Sequence, residues 1–203
     1  MTLPTLPGVE RRALGRVQVR AAAGGPPAIT GHAAVFDQLS EDLGGWRERI
    51  LPGAFARVLR NDVRALFNHD PNHVMGRTRA GTLRLAEDDY GLAVEIDPPA
   101  GVSWADDLLR SMERGDINQM SFGFTVDQGQ EWQLMPDGSM IRTISEFAGL
   151  FDVSVVTFPA YPQTDAGVRS IVADIRARLQ APPPPDPLHA LRARRLALAA
   201  IDL

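Results

Sequence analysis

The sequence predicts a mainly β protein with flanking helices, an α+β barrel, and three features point there. Short runs of alternating or continuous apolar residues recur along the chain, breaks rich in Gly, Pro, Asn and Asp separate them, and helical spacing is confined to a few segments. About eight short strands and two main helices follow, the makeup of a barrel or strongly curved sheet with helices packed outside it.

The elements read as follows. Leu14 to Arg20, LGRVQVR, alternates apolar and polar residues, the period of a strand with one wet face. After the Gly24-Gly25-Pro26-Pro27 break a second strand runs from Ala28 to Phe36 as its neighbour. Asp37 to Gly45 is polar and glycine-ended, hence a loop, and Pro52 to Leu59 reads as a short helix with proline in its first turn. Arg64 to His69 is a strand running into a turn at Asp70-Pro71-Asn72, which leaves His69 at the strand's end. Thr82 to Ala86 and Leu92 to Ile96 flank a turn at Glu87 to Gly91 and continue an antiparallel meander. Ser103 can cap a helix from Trp104 to Arg114, with Asp106 and Asp107 in its first turn and Gly115 as its stop.

Next comes the run Asn118 to Val126, then strands at Glu131 to Leu134 and Met140 to Glu146 around a Pro136-Asp137-Gly138 turn, and the apolar run Leu150 to Phe158. Val168, Ile171, Val172, Ile175 and Leu179 fall at helical spacing within Asp165 to Leu179. The prolines from Ala181 to Pro187 form a stiff linker, and LHALRARRLALAAIDL beyond it is basic and potentially helical. The expected organisation is therefore a folded domain over residues 1–180 and a linker with a basic tail over residues 181–203.

The 203 residues suffice for one domain with a real core, and 44% hydrophobic against 23% charged residues excludes wholesale disorder. The chain has no cysteine, so disulfides, thiolate metal sites and a cysteine nucleophile are excluded. A net charge of -4 shows no overall bias toward nucleic acid, and no apolar run approaches the ~18 residues of a membrane span. Neither nucleic acid nor membrane is an expected partner. The N-terminus lacks the basic-then-apolar order of a signal peptide, so the expected location is the cytosol where the chain is made.

One hydroxyl stands out. Ser121 lies between Met120 and Phe122 in a strand, and a serine becomes a nucleophile only when a base accepts its proton. Of the four histidines, His189 lies in the tail, His32 within an early strand and His73 after a turn; His69 alone sits at a strand end where its ring can face a cleft. A rival reading takes His69, Asp70 and His73 as metal ligands, but two histidines four apart converge on a metal when they share a helix face, and Pro71 opposes a helix there. No metal or other cofactor is expected.

Several stretches carry a resemblance in a consistent order: Gly31-His-Ala-Ala-Val-Phe36, Leu51-Pro-Gly-Ala-Phe55, His69-Asp-Pro, Met120-Ser-Phe-Gly-Phe124 and Leu150-Phe-Asp-Val-Ser-Val-Val-Thr-Phe-Pro-Ala160. With these the chain resembles the tailed-phage prohead maturation serine proteases, related in fold to the herpesvirus assemblins, over roughly Ile29 to Arg169. The resemblance implies an assemblin-like β-barrel surrounded by helices, with Ser121 as nucleophile and His69 as general base. For the third member it leaves Glu146 and Asp152. Glu146, at the start of the matching segment, is favoured over Asp152 within the strand, and Ala148-Gly149 adds a residue between the acid and the strand. The sequence does not choose the oxyanion donors, although Gly123 suits close backbone approach. Phe122, Phe124, Phe147, Phe151 and Phe158 read as barrel core.

What the resemblance implies is a phage endopeptidase that cleaves the scaffold region of the major capsid protein, and itself, inside the assembling prohead in the host cytoplasm. Assemblins work as dimers, so a homodimer fits as well. The tail would then be a docking element or a self-cleaved segment; its plain reading is an extension with a few helical turns. The contrasting function is a noncatalytic capsid assembly or scaffold module with the same barrel.

Overall fold

The computed structural model describes residues 8–20, 27–158 and 166–181. Backbone contacts divide the chain into two compact units, Met1–Ala166 and Gly167–Leu203. The second holds helix α2 (Ala166–Gln180) from its second residue on, where helical spacing predicts one. Almost all of the expected linker and tail lies outside the described residues.

The first unit contains β1 (Glu10–Arg20), β2 (Ala28–Val35), β3 (Trp46–Ile50), β4 (Arg64–Phe67), β5 (Asp70–Arg77), β6 (Leu83–Glu87), β7 (Gly91–Ile96), α1 (Ser103–Glu113), β8 (Gln119–Thr125), β9 (Gln130–Leu134), β10 (Met140–Ile144) and β11 (Gly149–Val156). Eight of the strands form one sheet in the order β5-β4-β11-β8-β1-β2-β7-β6, and β3-β10-β9 form a second. The larger sheet curls into a half-barrel, the mainly β architecture the alternation predicts. Its concave side is filled from both ends: Ile29, Leu92 and Ile96 share one core with Met120, Phe122, Phe124, Leu150 and Val153. Helix α1 adds Leu108, Leu109 and Met112 to that core.

Three expectations are corrected, and one strand, β3, had no expectation. β3 was not legible because Trp46-Arg-Glu-Arg-Ile50 turns a glutamate inward: Glu48 is fully buried between buried Trp46 and Ile50, so the alternation holds in space and not in hydropathy. Pro52 to Leu59 is a series of turns rather than a helix. Gly53 has φ +87°, which no α-helix tolerates, and three of the bonds there span three residues. Asp70 to Asn72 belongs to β5, where Leu66 pairs with Val74 and Phe67 with Asp70, so the residues between bulge out around the bond from Asn72 N to Asp70 Oδ1. Finally, Ser103 opens α1 without capping it; Val102 is the N-cap, with no side-chain bond.

The pairing that matters most is one that local sequence does not encode. β4 runs parallel to β11, with Asp152 beside Arg64 and Val155 beside Phe67, while β11 is antiparallel to β8 on its other side. Three distant segments thus lie side by side. Among the described residues no helix is long and apolar enough to cross a membrane.

Candidate active site

Strand β8 alternates strictly at its centre. Met120, Phe122 and Phe124 enter the core, which sends Ser121 and Gly123 to the opposite face. That face is covered too, since Ser121 is fully buried, whereas alternation alone predicts one wet face. Across the ladder Ser154 lies opposite Ser121 and Asp152 opposite Gly123, after a register shift that leaves Phe151 as the extra residue. The bulge re-aims the strand so that Asp152 points over Gly123. A Cβ at position 123 would stand 2.4 Å from Asp152 Oδ2, so a glycine is what makes room for the carboxylate.

His69 arrives from the other neighbour. Phe67 pairs with Asp70, so Asn68 and His69 form a two-residue hairpin, and both have positive φ, 52° and 57°. Two-residue hairpins favour this backbone, but the second position usually takes glycine, and a histidine there carries strain of roughly 1–3 kcal/mol. Asn68 holds the turn down. Its N–H donates to Val155 O at 2.9 Å, its Nδ2 to Thr157 Oγ1 at 3.2 Å, and its Oδ1 accepts from Thr157 N at 2.9 Å. The side chain thereby extends the β4–β11 pairing past the end of β4. Asn68→Ala removes these side-chain bonds and places a Cβ residue without them in the left-handed region, so we expect a loss of about 1–2 kcal/mol in urea unfolding. Asn68→Gly relieves the backbone and should lose less; equal losses would show that the turn's conformation is not what Asn68 secures.

The result is a continuous chain of contacts. His69 Nε2 lies 2.8 Å from Ser121 Oγ, and His69 Nδ1 lies 2.6 Å from Asp152 Oδ1. A carboxylate only accepts, so Nδ1 carries the proton and donates it to Asp152, leaving Nε2 bare to accept the Ser121 hydroxyl. His69 and Asp152 are themselves buried to within a tenth of full coverage. The arrangement joins a hydroxyl, an imidazole in the proton-accepting tautomer and an acid that fixes that tautomer, the geometry of nucleophilic acyl transfer.

The family model for the caudovirus prohead serine protease matches residues 16–176. The chain belongs to this family. The prohead protease of Enterobacteria phage HK97 is 34% identical over 145 residues, which cover 70% of this chain and 58% of that protein. The chain therefore aligns with less than two thirds of that relative's length. Among solved structures the bacteriophage T4 capsid assembly protease is similar with a TM-score of 0.41 and 12% identity, covering 73% of this chain and 96% of that one.

Within this prohead protease fold the structure brings together Ser121, His69 and Asp152, and leaves Glu146 apart. Glu146 is half exposed, bonds the exposed Arg57 at 2.5 Å and lines a cavity of about 390 Å³ with Val58, Asp127, Gln128 and Phe147. The preference for Glu146 as the acid beside His69 is thus corrected: the register shift at Phe151 sets Asp152 opposite Gly123, where its Oδ1 meets His69 Nδ1, while Glu146 bonds Arg57. His73 turns away from His69: its Nδ1 bonds Asp70 Oδ2 at 2.9 Å, and its ring meets Trp104 edge-on. Among the described residues no three potential ligands gather as a metal site.

The aromatic expectation divides. Phe122, Phe124 and Phe147 are core, whereas Phe151 is 37% and Phe158 72% exposed. Two contributors escaped sequence reasoning, Asn68 and Ser154. The signal for Asn68 was a strand end followed at once by Asn, the residue most at home at positive φ; for Ser154 it was a second small hydroxyl two residues beyond Asp152, on the same face.

Proposed function

We propose that this chain is a serine endopeptidase using Ser121, His69 and Asp152. Ser121 Oγ attacks the scissile carbonyl carbon as its proton passes to His69 Nε2. Asp152 stabilises the imidazolium through Nδ1. When the tetrahedral adduct collapses, Nε2 returns that proton to the departing amine and the acyl group stays on Oγ; a water molecule, deprotonated by the same nitrogen, then releases it. The observation that carries this reading is the unbroken Ser121–His69–Asp152 contact chain.

Membership of the prohead protease family supports the scaffold region of a major capsid protein as substrate, with self-cleavage, inside an assembling shell in the host cytoplasm. Residues 1–180 would carry the chemistry and residues 181–203 would dock or be trimmed, in a monomer or a homodimer. A noncatalytic assembly module is the less favoured reading, since it has no use for a buried serine bonded to a positioned imidazole. Co-expression with the capsid precursor decides between them. The native chain should trim the precursor, Ser121→Ala should lose roughly 10⁶-fold in rate, and a fluorophosphonate should label the native protein at Ser121 alone. Identical precursor patterns with both proteins, and no labelling, would sink the protease reading.

A further inference from the structure

The carboxylate of Asp152 has a second partner. Ser154 Oγ donates to Asp152 Oδ1 at 2.6 Å, the same oxygen that accepts His69 Nδ1 at the same distance. Ser154 is fully buried, sits directly across the ladder from Ser121, and shares a face with Asp152 two residues away. An aspartate's terminal torsion is broad and roughly two-fold, so the backbone alone does not hold its carboxylate plane. The other oxygen, Oδ2, lies over Gly123, which offers no side chain to steady it. Of the contacts around this carboxylate, the Ser154 hydroxyl is the one that comes from its own strand and is independent of His69.

We propose that Ser154 is a positioning residue: its hydroxyl locks Oδ1 in the direction from which it receives the His69 Nδ1 proton, and so sets the plane of the imidazole ring that faces Ser121. Ser154 does not touch the reacting atoms. Without it the carboxylate rotates, Nδ1–H loses its fixed acceptor, and Nε2 spends less time aligned with Oγ. A hydroxyl retained merely as small filling would be replaceable by alanine without consequence for the ring. The catalytic part of this proposal rests on the protease reading; the geometric part does not.

The test uses the full chain carrying Ser154→Ala and, separately, Ser154→Cys, which keeps a side chain of similar shape with a weak donor. With a fluorogenic peptide spanning a junction mapped in the co-expression experiment, kcat should fall roughly 10- to 100-fold in Ser154→Ala, the scale for partners that orient a reacting group, and less in Ser154→Cys, with KM within about twofold because no substrate contact is lost. The same substitutions are made in a Ser121→Ala background, and the far-downfield proton NMR signal of His69 Nδ1–H is followed. It should be present with Ser154 and broadened or lost without it. Unchanged kcat in folded Ser154→Ala, a loss confined to KM, or an unchanged Nδ1–H signal in Ser154→Ala would each overturn the proposal, as would a greater loss in Ser154→Cys than in Ser154→Ala. Absence of any cleavage by the native chain would defeat the protease reading instead, and the NMR comparison would still decide the role of Ser154.

Discussion

Asp152→Asn should lower kcat by roughly 10⁴-fold, whereas Glu146→Gln should leave it within about twofold. The asymmetry follows from what each acid touches. Asp152 Oδ1 accepts the Nδ1 proton of a buried imidazole at 2.6 Å, so it decides which ring nitrogen is bare. An asparagine can present its amide N–H to that nitrogen instead; the proton then moves to Nε2, which can no longer accept from Ser121. Glu146 bonds an exposed arginine, a pair whose loss costs about 0–1 kcal/mol of stability and nothing in tautomer control. Peptide cleavage by the two purified variants makes the comparison, with unfolding curves showing that both are folded. If Glu146→Gln proved as damaging as Asp152→Asn, a rearranged active state would have to bring Glu146 to the ring.

How much of this site was legible in the chain depends on which interaction carried it. Ser121 and His69 could be singled out because their chemistry is rare and local: one hydroxyl between two core residues, and one imidazole ending a strand. The acid could not be chosen the same way. Its direction depends on one extra residue, Phe151, and a single-residue slip sends every later side chain to the other face. Short strands and turns from β6 through β10 followed from alternation and breakers. The parallel pairing of β4 with β11 did not, because it joins segments with no shared local signal. Where hydropathy misled, at β3, the inward charge was compensated by partners far away in the sequence.

Those partners set the largest stability effect we expect. Arg142 on β10 donates from Nη1 and Nη2 to the two oxygens of Glu10 on β1, at 2.6 and 2.8 Å, and from Nη1 to Glu48 Oε2 on β3 at 2.9 Å. Arg12 on β1 donates to Glu10 Oε2 at 2.6 Å; its Nε stands 3.1 Å from Glu48 Oε1 without the alignment of a hydrogen bond. The Arg12 guanidinium also lies 5.3 Å from the centre of the Trp46 ring and that of Arg142 5.7 Å from Trp132. Two cations and two anions thus balance where the small sheet meets the large one. Burial opposes the charge on both Glu10 and Arg142, yet their mutual bond and the neighbouring charges prevail, holding Glu10 below and Arg142 above the ordinary value.

Arg142→Met removes one cation and strands an excess negative charge in the buried junction, so it should cost about 3–5 kcal/mol in urea unfolding. Glu48→Met with Arg142→Met restores neutrality, leaves the Arg12–Glu10 pair, and should recover most of that loss, since apolar replacement of a buried pair is often neutral or better. Additive losses in the two single variants would mean that shape rather than charge balance governs the junction. The sign with pH follows from Glu10. Its folded value lies below the ordinary 4.5, so its contribution is fully present above that pH and is lost as pH falls through the depressed value. Acid titration should therefore loosen the junction of the native chain only below about pH 4.5, and that acid-dependent loss should shrink in the Arg142→Met protein, which lacks the cation that depresses Glu10 most.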